Sequence, residues 1–206
     1  MSNTCDYAYD STDESHMHRY FVPTILRRVA GQPHLRVLDL GCGNGALCKR
    51  LRDAGCDVTG VDVSSPGIAV ARAAYPDIHF ETLGVYDEPP PNFLESFDVV
   101  ISTEVVEHLY APRALASLIK RVLKPGGKAI VTTPYHGYLK NLALCLVGKW
   151  DPHHDVFWEH GHIKFWSKAT LTRLFTDEGF VVESFEGLGR FPFLWMTMLM
   201  SFIKPK

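Results

Sequence analysis

Val37-Leu38-Asp39-Leu40-Gly41-Cys42-Gly43-Asn44-Gly45 is an apolar run that breaks into glycines at every second position and then passes into a helical pattern. The order reads as a buried strand, a tight turn and a helix N-terminus. Glycine reaches positive φ without a Cβ penalty and lets a ligand lie against the main chain. The helix end offers N–H groups and partial positive charge. A small anion or carboxylate is therefore expected to settle there. Gly41-x-Gly43-x-x-Ala46 also fits the dinucleotide fingerprint, with Asp62 placed to accept from a pair of ribose hydroxyls. The glycines by themselves leave the cofactor open.

Outward from this stretch, Leu47, Leu51 and Ala54 pattern a helix that stops at Gly55, and Asp57 to Val63 reads as a second buried strand with Asp62 at its carboxyl end. A helix from Pro66 to Ala74 and a strand from Ile78 to Leu83 follow, then Val85-Tyr86-Asp87 in a loop. Phe97 to Ser102 is apolar on both faces, as a central parallel strand must be, and delivers Thr103, Glu104, Glu107 and His108 to the rim. Residues 104, 107 and 108 stand at i, i+3 and i+4, so two carboxylates and an imidazole are expected on one face of the first helical turn after that strand. Such a set suits a general base, or a divalent cation that acidifies a hydroxyl.

Asp39-x-Gly41-x-Gly43-x-Gly45, Gly60-Val61-Asp62-Val63, the run from Phe97 to His108 and Lys124-Pro125-Gly126-Gly127 together resemble the ordered motifs of the class I S-adenosylmethionine (SAM)-dependent methyltransferases. Within that class the chain is most similar to the ubiquinone-biosynthesis (polyprenyl benzoquinol) O-methyltransferase branch. The resemblance implies an α/β fold, a Rossmann-like, mostly parallel seven-stranded sheet with an antiparallel C-terminal strand. It implies SAM as cofactor, held by Asp39, Gly41, Gly43, Gly45, Asp62 and Val63, with Val85, Tyr86 and Asp87 flanking the adenine and Thr103 near the sulfonium. Arg19, in a His18-Arg19 pair of the preface, is then expected to meet the methionine carboxylate. The branch carries the same Glu-x-x-Glu-His order. That implies His108 and Glu104 as catalytic groups and, for the members that use it, Mg²⁺ on Glu104, Glu107 and His108. His162 with Lys164-Phe165 is similar to a His and a Lys-Phe in the branch's insertion, which implies His162 as a further catalytic group. The implied reaction is methyl transfer to a hydroxyl of a small quinol- or phenol-like acceptor, with nitrogen or carbon acceptors as the alternative.

The chain divides into a helical preface (1–35), a SAM-binding core (36–134), an inserted lid (135–166) and a C-terminal helix and hairpin (167–206). The lid holds an apolar segment, Leu139 to Val147, then Trp150, Asp151-Pro152-His153-His154-Asp155 and His160-Gly161-His162-Ile163-Lys164-Phe165. Its histidines match no zinc-finger spacing. They are read as a pocket wall, with a structural metal as the lesser alternative. Met196, Met198 and Met200 alternate with Thr197, Leu199 and Ser201 and read as the core face of a strand after a Gly187–Arg190 turn.

At 206 residues and 46% hydrophobic the chain suits a single domain, leaving no room for a second substrate domain of the dehydrogenase kind. A reductase would also need a Tyr-x-x-x-Lys pair, and Tyr135 and Lys140 are one residue out of that register. A net charge of −2 gives no nucleic-acid footprint. Cys5, Cys42, Cys48, Cys56 and Cys145 contain no Cys-x-x-Cys pair and are expected as reduced thiols. Met1 to Glu14 is polar and acidic, with Tyr7 and Tyr9 among its residues, and has no signal-peptide order. A cytoplasmic location is expected, with peripheral membrane contact through 139–150 as a variant of it.

Overall fold

The computed structural model describes residues 11–206 except 14, 33, 159 and 160. Cys5, Tyr7, Tyr9, Glu14 and His160 therefore lie outside the described residues. The elements run α1 (His18–Val29), β1 (Arg36–Leu40), α2 (Ala46–Asp53), β2 (Asp57–Asp62), α3 (Ser65–Ala74), β3 (His79–Thr82), β4 (Phe97–Thr103), α4 (Arg113–Val122), β5 (Leu123–Pro134), α5 (Tyr138–Leu146), α6 (Trp150–His153), α7 (Lys168–Asp177), β6 (Val181–Leu188) and β7 (Thr197–Ile203).

The seven strands lie in the order β3-β2-β1-β4-β5-β7-β6, parallel through β5 and antiparallel at β7 and β6. Strand order reverses between β1 and β4, which opens a crevice at their carboxyl ends, where open α/β sheets take their ligands. Residues alternate between two cores. Leu38, Leu40, Val100, Val131, Met198 and Met200 face one side with Leu115, Ile119 and Phe175, while Val37, Val99, Ile101, Ile130 and Leu199 face the other with Phe21, Ile25 and Leu51.

The methionine face of β7 is core, as expected, and its opposite face is buried as well. Met198, Leu199 and Met200 are all fully buried, because helices cover the sheet on both sides. The hairpin differs from the expected one. Gly187 and Leu188 extend β6 instead of turning, and β7 begins only at Thr197, since the long β6–β7 connection absorbs Phe191 to Trp195.

Helix starts follow from local chemistry. Ser64 Oγ accepts from Gly67 N at 3.2 Å at the head of α3, and Ser167 with Thr170 forms a reciprocal capping box at the head of α7. Insertion 135–166 begins and ends on one short bridge, Tyr135 to Trp166. Its later part is tied down where Ile163 and Lys164 N–H groups both donate to the Glu107 carbonyl at 3.0 Å.

Candidate active site

The glycine loop is held shut by its own hydrogen bonds. Gly41 and Cys42 N–H donate to the Val61 carbonyl (2.8 and 3.0 Å), Gly45 N–H to Cys42, Ala46 N–H to Asn44 Oδ1 and Gly43 N–H to Asp62 Oδ2 at 2.8 Å. This corrects the expectation of several free amides awaiting an anion. What the loop offers is close approach and shape. All three glycines have positive φ, and a Cβ on Gly45 would stand 2.8 Å from the Phe80 ring. Asn44, which sequence reasoning passed over, is buried and donates to the Ser11 and Asp13 carbonyls (2.8 and 3.1 Å), so the segment before α1 lies over the loop.

Two buried acids underlie this loop. Asp39 is wholly buried, accepts from Cys48 Sγ at 3.2 Å and leaves Oδ1 without a hydrogen-bond partner among the described residues. Burial, together with the charge of Asp62, pushes its carboxyl up to about 7. Asp62 accepts from Gly43 N and Ser64 N, each at 2.8 Å, and burial raises its pKa as well. With Glu104 and Glu107 these acids make the strand ends a place for a cationic ligand. A ligand with an ammonium and a sulfonium, as in SAM, suits such an acidic rim. A pyrophosphate would meet like charge and amides already engaged.

Glu104 has a left-handed backbone (φ 54°), which turns its carboxylate onto the Thr132 and Thr197 hydroxyls, both donating to Oε1 at 2.8 and 2.9 Å. It therefore leaves the shared face expected of residues 104, 107 and 108. The turn that follows is a short 3-10 segment, Val106–His108. Glu107 is fully buried. Its Oε2 accepts from Thr133 Oγ1 at 3.0 Å, and its Oε1, with no hydrogen-bond partner among the described residues, stands 4.0 Å from Nε2 of both His108 and His162. His108 Nδ1 lies 3.2 Å from the Gly161 carbonyl, which fixes a tautomer with the proton on Nδ1. Burial, then the charge of Glu104, pushes Glu107 well above the usual carboxylate range. Burial followed by His108 holds His162 down at about 4.

The group that converges is thus Glu107, His108 and His162, not Glu104, Glu107 and His108. Two imidazoles and one carboxylate make a poor Mg²⁺ set, because that ion prefers hard oxygen ligands. The donor set here does not fit Mg²⁺.

The other expected residues are placed as follows. Thr103 ends β4 beside Thr132. Val63 packs on Gly84, 3.4 Å from the position of a Cβ there, at the mouth of β2. Val85, Tyr86 and Asp87 occupy the next loop along the same rim. Asp87 Oδ2 accepts from Gly84 N at 2.7 Å, and Tyr86 Oη accepts from Ala111 N at 3.1 Å. Arg19 is exposed, and its guanidinium donates to Tyr20 Oη at 2.8 Å. Lys140 Nζ donates to the Tyr135 carbonyl at 2.8 Å, so these two residues form no hydroxyl–ammonium pair. Thr132, Thr133 and Thr197, which set both glutamates, went unnoticed in the sequence. Alternation could not mark them, because Thr132 and Thr133 are neighbours on opposite faces of β5 and Thr197 stands opposite the methionine face of β7.

The chain matches the family described as "Methyltransferase domain" over residues 14–184. It is 33% identical over 168 residues to a ubiquinone biosynthesis O-methyltransferase of Bradyrhizobium sp. (strain ORS 278), covering 77% of this chain and 63% of that one. The chain thus spans less than two thirds of the length of that relative. In fold it is similar to a Pyrococcus horikoshii OT3 protein (TM-score 0.73, 22% identity, 96% of this chain and 95% of that one). A second likeness is to the Synechocystis PCC 6803 magnesium protoporphyrin IX methyltransferase solved with S-adenosylhomocysteine bound (TM-score 0.69, 19% identity, 89% and 81% covered). A motif-bearing glycine loop at the reversal of strand order, a rim of buried acids suited to a cationic ligand and a match over most of the chain lead to one conclusion: this protein belongs to the methyltransferase-domain family, the SAM-dependent class its glycine loop resembles.

Proposed function

We propose that the chain transfers a methyl group from SAM to a hydroxyl oxygen of a small quinol- or phenol-like acceptor held beneath insertion 135–166. The observation that carries this reading is the convergence of His108 Nε2 and His162 Nε2 on the buried Glu107 carboxyl, 4.0 Å from each. Bound SAM supplies a methyl carbon already activated by a sulfonium leaving group. The residues that would hold it are Asp39, Gly41, Gly43, Gly45, Asp62 and Val63, with Val85, Tyr86 and Asp87 along the adenine side and Thr103 and Glu104 nearest the transferring group.

The protein's own task is alignment, exclusion of water and removal of one proton. A phenolic hydroxyl has a pKa of about 10, so it needs a base before its oxygen attacks readily at neutral pH. His108 fills that role. Its Nδ1–H is committed to the Gly161 carbonyl, so Nε2 is the basic nitrogen of the ring. The positive ring that results then lies beside the Glu107 carboxyl, and each favours the charged form of the other. Neutral His162 lines the acceptor side as a hydrogen-bonding wall.

The exposed apolar side chains of α5 and its continuation, Leu139, Leu142, Leu146, Val147 and Trp150, support a further reading, that a long-tailed acceptor enters from a membrane surface. Among the described residues no helix is long and apolar enough to cross a membrane, so such contact is peripheral.

The decisive experiment is an assay with labelled SAM and a soluble catechol or hydroquinone, alongside calorimetric titration with S-adenosylhomocysteine. His108→Gln is expected to lower kcat by about 10²–10⁴-fold, the usual contribution of a positioned base. Its affinity for S-adenosylhomocysteine should match that of the wild type. Undiminished turnover in this variant would remove His108 as the base. A protein that binds NADH and not S-adenosylhomocysteine would remove the cofactor.

A further inference from the structure

A second histidine group lies in the insertion, and the proposed methyl transfer makes no use of it. His136 follows β5, and its backbone N–H donates to the Trp166 carbonyl at 2.8 Å, which pins it to the strand end. His153 closes α6 and His154 comes next. One nitrogen from each of the three rings lies within 4.8 Å of the others. His136 is only 8% exposed, and its Nδ1, like Nε2 of His154, is buried without a hydrogen-bond partner among the described residues. Phe165 packs edge-on against both rings, with centroids 4.9 and 4.7 Å away, and Trp150 lies 4.3 Å from His154. Leaving a buried polar nitrogen unsatisfied costs about 1–3 kcal/mol. Two of them beside a third imidazole, walled by aromatic rings, call for a ligand that accepts lone pairs.

We propose that His136, His153 and His154 form a three-imidazole site for a divalent transition-metal ion of the zinc type, which staples α6 to the end of β5. Three nitrogens within 4.8 Å of one another stand at most about 2.8 Å from a common centre, and a zinc–imidazole bond is about 2.0–2.1 Å, so an inward shift of at most about 0.7 Å per ring completes the site. The fourth position is left to water or an anionic oxygen, as three-histidine zinc sites leave it.

A metal takes each imidazole in its neutral form and displaces no proton from it. The donors themselves choose among ions, because Mg²⁺ prefers hard oxygens whereas imidazole nitrogens favour zinc, nickel or copper. This site is separate in its residues from Glu107, His108 and His162, and it stands whether or not the methyl-transfer reading holds.

The test uses the full chain, stripped with a chelator and titrated with Co²⁺ by visible absorption and with Zn²⁺ and Mg²⁺ by calorimetry. One Zn²⁺ per chain, a Co²⁺ band that Zn²⁺ displaces and no saturable Mg²⁺ heat are expected. The double variant His153→Gln, His154→Gln should lose the Co²⁺ band, and His162→Gln should keep it. His153→Gln alone, at an exposed position, keeps the test informative if the double variant does not fold. It should weaken Zn²⁺ by more than the roughly 10–100-fold that an outer-sphere change produces. No saturable Zn²⁺ or Co²⁺ binding, or a band that survives the double variant and vanishes in His162→Gln, overturns the proposal.

Discussion

Asp39 is the residue whose chemistry the structure changes most. A carboxyl on an apolar strand next to a glycine loop was legible as a ligand contact. What burial adds is a pKa raised from 3.8 to about 7. A carboxyl raised on folding contributes stability that is fully present below its unfolded value and is lost as pH rises through its folded value. For Asp39 that window runs from 3.8 to about 7, and the loss is flat above it. At about 1.4 kcal/mol per pKa unit, the change across the window is about 4 kcal/mol. Asp39→Asn abolishes the titration, so the stability of the variant relative to the wild type should improve by up to that amount between pH 4 and 7. Urea midpoints of both proteins at several pH values measure it. A constant difference would mean that Asp39 ionises as freely as a surface acid. Glu104 teaches the complementary lesson. Helical spacing put it on the face of Glu107 and His108, and a positive φ turned it to two threonine hydroxyls instead.

At the scale of elements, β1, its loop and α2 form the unit that everything else is docked onto. Gly45 heads α2 with φ at 78°, and a methyl group there would stand 2.8 Å from Phe80 Cζ and 3.0 Å from Ala71 Cβ. A left-handed residue other than glycine costs about 1–2 kcal/mol, and forcing a methyl into a packed core adds about 1–3 kcal/mol. Gly45→Ala should therefore destabilise the fold by about 2–5 kcal/mol, taking those two costs together. Gly31 is the internal control, because its φ is 75° and nothing lies within 4 Å, so Gly31→Ala should show only the backbone part. Chemical denaturation of both variants separates strain from crowding. Equal losses would mean that Phe80 yields without cost.

The whole molecule is a sheet buried on both faces with one insertion carried over the end where its ligand crevice opens. That insertion presents Tyr138, Leu139, Leu146 and Val147 to solvent at half exposure or more, an unusual outlay of apolar surface for one short helix and its flank. Under the membrane-entry reading, co-sedimentation with anionic liposomes should be seen for the wild type and fall severalfold for Leu142→Glu combined with Leu146→Glu. Leu142 is 39% exposed and Leu146 is 77% exposed, so neither change opens the core. Equal pelleting of variant and wild type would leave the apolar face to the acceptor alone.

By itself the sequence determined the alternation of strands and helices along the core, the glycine turn after β1 and the acids on β1 and β2. These features follow from hydrophobic periodicity and from glycines that only a tight turn accommodates, and both are local. Tertiary structure alone decided which groups meet. Thr132, Thr133 and Thr197 come from parallel and antiparallel strands far apart in the chain, and they place Glu104 and Glu107. His162 arrives from the insertion to replace Glu104 beside Glu107, and His136 meets His153 and His154 across a helix and a turn. No spacing rule encodes such meetings, because they are set by how loops close over a sheet and not by the period of any one element.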